Sequence, residues 1–320
     1  MDLAVTFLGT GGSVPSARRS TASVLVARGG ERLLFDCGEG TQRQMQRSLG
    51  LVQADEIYLT HFHADHVLGI PGLLKTYDLT DRQVPLKIYG PTGLTELFQV
   101  FSPLVGRLGY ALDLVELGPG DAVEHDGYKV CPFEASHRNA RANGYALVEA
   151  ERPGRFDPAA AVAAGVAEGP AYAALQRGEA VEGEAGEVTP DQVMGPSRPG
   201  RTVVITGDTA PSPATVSAAA DADLLIHDAS FAEEEVQRAA ETGHSTLGQA
   251  AAVAAEAHVK MLALVHISSR YHVGKVVEEA KATFEPTVAP KDFDVIELPF
   301  PERGAPQLIQ NGAVDRGGEG

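Results

Sequence analysis

Cysteine is scarce in this 320-residue sequence, which contains only Cys37 and Cys131. Each lies in an apolar or glycine-rich stretch, so the sequence predicts buried thiols, no disulfide framework and a reducing compartment. Long apolar runs are also missing, since none approaches the roughly 20 residues that span a bilayer. Residues 1–8 lack the basic start and long apolar stretch of a secretory signal and instead predict a β-strand. A soluble, cytoplasmic protein with no membrane partner is expected.

Basic residues are few relative to acidic ones. The sequence has 26 Lys and Arg against 43 Asp and Glu, a formal net charge of -17. This balance argues against a general electrostatic grip on phosphate backbones, and DNA is not an expected partner. A nucleic-acid substrate would need local basic patches or bound cations. The 43% hydrophobic and 22% charged composition is otherwise ordinary for a globular protein.

Several apolar, β-rich runs end in polar residues suited to chemistry. Residues 57–60 precede His61, residues 203–206 precede Gly207 and Asp208, and residues 262–265 precede His266. We predict buried strands for all three runs. Because reactive side chains collect just past the carboxyl ends of strands in α/β sheets, these stretches are expected to converge on one edge.

Helical periodicity appears between the predicted strands. It predicts helices over residues 94–105, 213–220 and 246–257, with Ser245 as the N-cap of the last. Strands that alternate with helices in both halves of the chain indicate an α/β layered sandwich. We expect one catalytic domain over residues 1–320.

Residues 151–200 interrupt this pattern. They are rich in Ala, Gly, Pro and Glu, and only a short helix around Tyr172 is predicted within them. An irregular insertion of this length in a compact domain is usually functional or disordered. Residues 311–320 are predicted to be a frayed tail.

Residues 61–66 carry the strongest chemical signal, because the run HFHADH places three imidazoles and a carboxylate directly after a predicted strand. Imidazole nitrogen and carboxylate oxygen are ligands that zinc and manganese accept. With His61 and His63 on the extended segment and Asp65 and His66 at the start of a helix, the run could address two adjacent ions. The alternative is a solvated histidine-rich turn, which the strand–HxHxDH–helix context disfavours.

Two coordination shells need further ligands, and His137, Asp208 and His266 at strand ends are the best candidates. Asp208 is suited to bridge, because its two oxygens can hold ions roughly 3.5–4 Å apart, as in dinuclear hydrolases. Taken singly, a histidine at a strand end is more often a core residue, and a Gly-Asp pair is more often a turn. Their joint occurrence favours the metal site.

The sequence resembles the metallo-β-lactamase fold and, within it, the ribonuclease Z family, whose members mature tRNA 3′ ends. The resemblance runs in order through LGTGG at 8–12, FDCGEGTQ at 35–42, HFHADH at 61–66, ASH at 135–137, ITGDT at 205–209, IHDASF at 226–231, GHST at 243–246 and HISSRY at 266–271. HxHxDH alone indicates only the superfamily. The block at 35–42, together with those around His244 and His266, is more specific.

The resemblance implies a four-layer αβ/βα sandwich with two zinc ions per subunit, although manganese or another divalent ion would fit the same ligands. One ion would be held by His61, His63, His137 and Asp208, and the other by Asp65, His66, Asp208 and His266. Residues 151–200 would form the arm that projects from the family's core and clamps precursor tRNA. A homodimer is implied, since in relatives the arm of one subunit serves its partner.

The resemblance also suggests roles for residues around the ions. Asp65 would orient or deprotonate the attacking water, and His244, supported by Asp228, would stabilise the transition state or protonate the leaving 3′-oxygen. The alternative for His244 is helix capping beside Ser245. Asp36 would hold a metal-bound imidazole in the right tautomer.

Substrate binding is assigned to Arg18 and Arg19 in the N-terminal loop, although solvated surface charge is the ordinary interpretation of isolated arginines, including Arg43 and Arg47. This loop departs from the family, because relatives carry Pro-x-Lys-x-Arg-Asn where this chain has PSARRS at 15–20.

Two further departures concern acidic residues. The block HDAS at 227–230 replaces His-Glu-Ala-Thr, which shortens the acid that would support His244. Residues 151–200 contain four Arg, no Lys and eight acidic residues, a poor composition for gripping tRNA.

Three functions remain open on the sequence alone. The first is a zinc-dependent endoribonuclease that removes the 3′ trailer of precursor tRNA, leaving a 3′-hydroxyl on the tRNA and a 5′-phosphomonoester on the trailer. The second is a phosphodiesterase or esterase acting on small molecules. The third is a noncatalytic, metal-stabilised RNA-binding module, which the full set of ligands disfavours.

Overall fold

The structure is a computed structural model that describes residues 2–310, except for the side chains of Lys275 and Val276. The tail predicted at 311–320 lies outside this range. The described chain divides into two compact units. Unit 1 contains residues 2–125, 129–148 and 202–310, and unit 2 contains residues 126–128 and 149–201.

Two sheets form the centre of unit 1. The first has eight strands in the order β17-β16-β1-β2-β3-β4-β5-β6, and the second has seven in the order β15-β14-β13-β12-β9-β8-β7. The strands are β1 Leu3–Gly9, β2 Ser23–Arg28, β3 Glu31–Phe35, β4 Glu56–Tyr58, β5 Leu86–Gly90, β6 Leu112–Glu116, β7 Val123–His125, β8 Tyr128–Glu134, β9 Asn143–Glu149, β12 Thr202–Ile205, β13 Leu224–Asp228, β14 Leu262–Val265, β15 Thr287–Val288, β16 Val295–Glu297 and β17 Gln307–Ile309. Neighbouring strands are parallel from β3 through β4 and β5 to β6, and from β12 through β13 and β14 to β15. Both sheets also contain antiparallel pairs and are therefore mixed.

The helices of unit 1 follow the strand ends. They are α1 Thr41–Ser48, α2 Ala64–Val67, α3 Ile70–Leu79, α4 Leu94–Val105, α8 Pro213–Ala218, α9 Val236–Thr242, α10 Leu247–Glu256 and α11 Val273–Thr283. The helices predicted at 94–105, 213–220 and 246–257 are therefore present. The N-cap predicted for the last one was wrong, because Thr246, not Ser245, accepts a hydrogen bond from the Gln249 amide and forms a capping box. Ser245 instead donates to the Thr209 carbonyl, 2.7 Å away.

The inner faces of the two sheets meet through aromatic side chains. Tyr145 on β9 contacts Phe35 and Tyr58 of the first sheet, with ring centroids 5.9 and 5.3 Å apart, and its hydroxyl donates to the Leu59 carbonyl. One apolar cluster packs α1, α3 and α4 on the first sheet, and another packs α8, α10 and α11 on the second. The αβ/βα sandwich expected from the sequence is confirmed.

Unit 2 has its own small core. It contains α5 Pro158–Ala163, α6 Pro170–Gln176, α7 Pro190–Val193 and a hairpin of β10 Val181–Gly183 with β11 Gly186–Val188. Its buried side chains are Ala161, Val166, Leu175, Val188 and Val193. The helix predicted around Tyr172 corresponds to α6.

The two ends of segment 149–201 lie next to each other. Glu149 and Arg201 form a buried two-pronged ion pair, with nitrogen–oxygen distances of 2.7 and 2.8 Å. The flanking residues Val148 and Thr202 are register partners in the antiparallel pair of β9 and β12. The segment therefore leaves and re-enters the second sheet at one pair of opposed residues.

Candidate metal centre

The HFHADH run lies where the sequence predicts it, just past β4. His63 has extended backbone angles and precedes the short helix α2, which carries Asp65 and His66. His61 and His66 are buried, whereas His63 is exposed and Asp65 is partly exposed. The run therefore presents ligand atoms from both the extended segment and the helix, with one side open to solvent.

Ligand atoms from four separate segments of the chain converge at this point. Two groups of four residues each have ligand atoms within 4.8 Å of one another: His61, His63, His137 and Asp208 form the first, and Asp65, His66, Asp208 and His266 form the second. Asp208 belongs to both groups. The seven candidate ligands from the sequence are thus brought together at one edge of the sheets.

The two oxygens of Asp208 face different groups. Its Oδ2 lies 3.7 Å from His61 Nε2 and 4.0 Å from His137 Nε2. Its Oδ1 lies 3.3 Å from His66 Nε2 and 3.4 Å from His266 Nε2. A carboxylate placed in this way can bridge two cations.

Hydrogen bonds to Nδ1 orient two of the imidazoles. His66 Nδ1 lies 2.8 Å from Asp36 Oδ2, and His137 Nδ1 donates to the Gly243 carbonyl at 2.7 Å. These contacts leave Nε2 of each ring directed at the cluster. Outer hydrogen bonds of this kind fix the tautomer of metal-binding histidines.

Two ring nitrogens support the fit of a metal. His61 Nε2 and His66 Nε2 are buried and have no hydrogen-bond partner among the described residues. A buried polar atom without a partner is costly, and a cation between the imidazoles and Asp208 would satisfy both nitrogens. The donor set therefore fits divalent ions that accept nitrogen and oxygen ligands.

The pKa shifts in the cluster also favour a bound cation. Burial lowers the pKa of His61 well below its ordinary value. Burial acts in the same sense on His66, but the carboxylates of Asp208 and Asp36 outweigh it and raise the pKa of His66 well above its ordinary value. The carboxylates thus create a strongly negative potential that attracts either a proton or a metal cation.

Asp65 lies on the accessible side of the cluster. Its Oδ2 accepts a hydrogen bond from the Ser13 amide at 2.9 Å and lies 3.1 Å from His266 Nε2. Burial acts to raise the pKa of Asp65, but His266 and His66 outweigh it and lower that pKa strongly. The carboxylate is held ionised beside the open side of the site.

His244 lies beside the cluster rather than at a helix cap. Its Nδ1 lies 2.7 Å from Asp228 Oδ2, and its ring stacks on His266 with centroids 5.3 Å apart. The shorter acid in the HDAS block reaches His244 directly. Burial alone would lower the pKa of His244, but Asp228 raises it to about 9.

Ser230 is a residue that sequence reasoning missed. Its hydroxyl donates to Asp228 Oδ1 at 2.6 Å and also lies 2.8 Å from His266 Nδ1. It therefore connects the Asp228–His244 pair to a candidate metal ligand. Its position two residues after Asp228 was the available signal.

Gly38 and Gly40, both in the 35–42 block, favour glycine for different structural reasons. A Cβ on Gly38 would lie 2.3 Å from the Asp65 carbonyl oxygen, so the backbone there passes close to the metal-site helix. Gly40 has open space around it, but its φ of +81° favours glycine. Of these two glycines, only Gly38 allows a close approach of the backbone to the metal-site helix.

Arg18 and Arg19 lie outside the metal cluster and differ from each other. Arg19 donates to Thr10 Oγ1 at 2.6 Å and to the Pro290 carbonyl at 2.9 Å, so its guanidinium anchors the N-terminal loop. Arg18 is exposed.

Comparison with known proteins identifies the family. Residues 17–247 match the metallo-β-lactamase superfamily. The chain is 48% identical to ribonuclease Z of Methanosarcina acetivorans over 302 residues, which cover 93% of this chain and 99% of the relative. The chain belongs to the ribonuclease Z family. As a ribonuclease Z family member, it is a hydrolase of the endoribonuclease class.

Other ribonuclease Z relatives agree over similar lengths. The protein from Natronomonas pharaonis is 47% identical over 308 residues, covering 94% of this chain and all of the relative. The crystal structure of human tRNase Z, short form, is 28% identical with a TM-score of 0.67 and covers 92% of this chain and 99% of that one. The family resemblance and fold expected from the sequence are both confirmed. Among the described residues, no helix has the length and apolar character needed to cross a bilayer.

Proposed function

We propose that this chain cleaves the 3′ trailer from precursor tRNA, leaving a 3′-hydroxyl on the tRNA and a 5′-phosphate on the trailer. One observation carries the proposal: in a chain of the ribonuclease Z family, the two oxygens of Asp208 face two separate ligand groups with His244 alongside. Arrangements of this kind suit phosphodiester hydrolysis by water.

The proposed cofactors are two Zn²⁺ ions per subunit, with Mn²⁺ as the alternative. One ion would be held by His61, His63, His137 and Asp208, and the other by Asp65, His66, Asp208 and His266. When bound, such ions lower the pKa of water from about 15.7 to about 7 and offset charge on the phosphate oxygens.

Asp65 is the proposed proton acceptor. Its carboxylate faces the open side of the cluster, where an attacking water would approach the phosphorus atom. The Ser13 amide, 2.9 Å away, fixes the orientation of this carboxylate. Asp65 can therefore orient the water and take up its proton during attack.

His244 is the proposed proton donor. The 2.7 Å contact with Asp228 occupies Nδ1, which leaves Nε2 for the leaving 3′-oxygen. Asp228 is fully buried and is itself held by Ser230 and by the Thr209 amide, so the imidazole is positioned before substrate arrives. Protonation of the 3′-oxygen completes cleavage of the phosphorus–oxygen bond.

Unit 2 is the proposed substrate arm of a single catalytic domain. Its core of five buried residues and its distinct hairpin support a separately folded appendage. Homodimerisation belongs to the same proposal and rests on the family resemblance, in which the arm of one subunit serves its partner. Measuring the mass in solution by light scattering tests this, and a monomer would contradict it.

A cytoplasmic location is also proposed, because neither Cys37 nor Cys131 is in a disulfide. Burial raises the pKa of Cys37 to about 12, which suits an unreactive structural thiol.

A precursor-tRNA assay tests the main proposal. Purified protein supplied with Zn²⁺ or Mn²⁺ should cut a labelled precursor just after the discriminator base, and substrates with and without encoded CCA should be compared. End mapping should show a 3′-hydroxyl on the tRNA. Turnover of a chromogenic phosphodiester without cleavage of any precursor would overturn the proposal in favour of a small-molecule phosphodiesterase.

A further inference from the structure

A concave surface beside the metal centre collects basic side chains in this acidic protein. The pocket has a volume of about 880 Å³ and is formed by the N-terminal loop, helix α1 and the segment before β16. Its basic residues are Arg18, Arg19, Arg43, Arg47 and Lys291, and we refer to it as the basic pocket. All of them are exposed except Arg19, which is partly buried.

Two of the three acidic residues of the basic pocket accept hydrogen bonds from the protein itself. Asp292 accepts hydrogen bonds from Thr10, Ser20 and Gln44. Asp294 is buried and accepts from the Lys291 amide at 2.9 Å. The remaining lining carboxylate, Glu39, is exposed, so among the described lining residues five cations face three carboxylates and the pocket carries a net positive formal charge.

The cations themselves are available. Among the described residues, the side chains of Arg18, Arg43 and Lys291 form no ion pair. Arg47 donates to Gln44 Oε1 at 3.3 Å, and its guanidinium lies 5.0 Å from the centroid of the Phe293 ring. A guanidinium packed on an aromatic ring presents a flat cationic face, which suits phosphates and unstacked bases.

The N-terminal loop links the basic pocket to the metal centre, because it carries residues of both. Ser13 of this loop donates to Asp65 in the cluster, and Arg18 of the same loop lines the pocket. Five peptide units separate these residues, so they lie at most about 18 Å apart. Arg19 holds the loop in place through Thr10 and Pro290. A nucleotide chain bound at the metals could therefore reach the pocket directly.

We propose that the basic pocket binds the phosphates of the single-stranded 3′ trailer of the substrate. This inference rests on the proposed function. Upstream of the scissile bond, only the discriminator base separates the cut from the double-helical acceptor stem, whereas the trailer downstream of the cut is single-stranded. A single strand fits, because its backbone can follow a basic groove while its bases unstack. Arg43, Arg47 and Lys291 are thereby substrate-binding residues, and Arg19 is a positioning residue for the loop.

Direct binding tests the pocket without any need for catalysis. A fluorescent six-nucleotide RNA with a 5′-phosphate should bind the metal-loaded protein, and the double variant Arg43→Ala/Lys291→Ala should bind it about tenfold more weakly at 0.15 M salt. The salt dependence of binding should fall by about 0.7 per lost cation in a plot of log Kd against log salt. The matched control is Lys87→Ala/Arg107→Ala, which removes two exposed cations that do not line the pocket.

A variant that removes a negative charge from the pocket provides a complementary test. Glu39→Gln removes the exposed carboxylate of the pocket and should tighten binding of the same RNA. Weaker binding by this variant, or equal losses in the two double variants, would overturn the proposal. Since all these residues are exposed, thermal melting should show that each variant folds.

Cleavage assays distinguish the trailer from the tRNA body. With a precursor that has an eight-nucleotide trailer, Arg43→Ala/Lys291→Ala should raise KM while kcat is kept. With a one-nucleotide trailer, the variant should match the wild type. An equal rise in KM for both substrates would show that the pocket binds the tRNA body and would overturn the proposal. If the wild type cleaves no precursor, the proposed function fails, whereas the RNA-binding result still decides the pocket.

Discussion

Asp228 Oδ2 lies 2.7 Å from His244 Nδ1. Asp228 is fully buried and also accepts from Ser230 and from the Thr209 amide. The imidazole is therefore held directly by a carboxylate with a fixed position.

Removing His244 or its partner should affect catalysis more than metal binding. For His244→Ala we expect a loss of about 10²- to 10⁴-fold in kcat, the usual contribution of a general acid. Asp228→Asn should lose about 10- to 100-fold, because the imidazole remains but its orientation is weakened. Metal content measured by plasma mass spectrometry should stay at the wild-type value in Asp228→Asn. A variant that lost its metals along with its activity would show that Asp228 acts through His266 instead.

Metal removal should destabilise the protein. Without cations, the buried Nε2 atoms of His61 and His66 have no partner among the described residues, and the carboxylates lie close together. We expect dialysis against a chelator to abolish cleavage and lower Tm, and added Zn²⁺ to restore both, with Tm rising with metal concentration. Asp208→Ala should bind less than half of the wild-type metal and show little Tm response. A full Tm response in Asp208→Ala would rule out the bridging role.

Glu56 is a buried carboxylate that does not belong to the metal cluster. Glu56 accepts from the Tyr58 hydroxyl at 2.6 Å and from the Tyr89 hydroxyl at 3.2 Å, and it lies 3.3 Å from His125 Nε2. Burial acts to raise the pKa of Glu56, but the hydrogen bonds from His125 and the two tyrosines outweigh it and lower that pKa.

Glu56→Gln should therefore destabilise the fold in a pH-dependent manner. At pH 7 we expect a loss of about 1–3 kcal/mol in the free energy of unfolding. Because the folded-state pKa is lowered, the contribution of the ionised carboxylate is present above the ordinary pKa of about 4.3 and is lost as the pH falls through the folded value. The difference between variant and wild type should shrink over that range in urea unfolding with chelator present. Glu179→Gln, which removes an exposed ion pair with Arg177, should change stability little at any pH.

The two adjacent arginines of the N-terminal loop should give opposite phenotypes. Arg19→Ala removes the hydrogen bonds to Thr10 and Pro290, so we expect a lower Tm and a loop that no longer supports Ser13 against Asp65. Arg18→Ala removes an exposed cation, so Tm should be unchanged while RNA affinity falls. Melting curves and RNA titrations on the two variants provide the comparison. Equal Tm values for both would show that the Arg19 contacts do not anchor the loop.

The sequence was most informative where chemistry and periodicity coincide. The spacing of His61, His63, Asp65 and His66 after an apolar run predicted both a strand end and a ligand cluster, since few other arrangements use such residues together. Asp208 was recognisable because two oxygens on one side chain can serve two ions. The resemblance then supplied a complete ligand set, and the structure brings these residues together.

Features that depend on long-range packing were not visible in the sequence. Ser230 gains its place from the meeting of β13 and the segment before α10, and Glu56 gains its place from the stacking of the two sheets. Arg18 and Arg19 look equivalent in the sequence, but only Arg19 is within reach of Thr10 and Pro290. The N-cap at Thr246 differed from the prediction by one residue, because Ser245 bonds to a distant carbonyl instead.

The opposed position of Val148 and Thr202 has a consequence for how this chain can vary. A segment that starts and ends on neighbouring strands at the same register can grow, shrink or change its charge while both strands keep their alignment. The antiparallel pair of β9 and β12 could be closed by a short turn in place of residues 149–201. The length and charge of residues 149–201 are therefore not constrained by the alignment of the two strands that flank them.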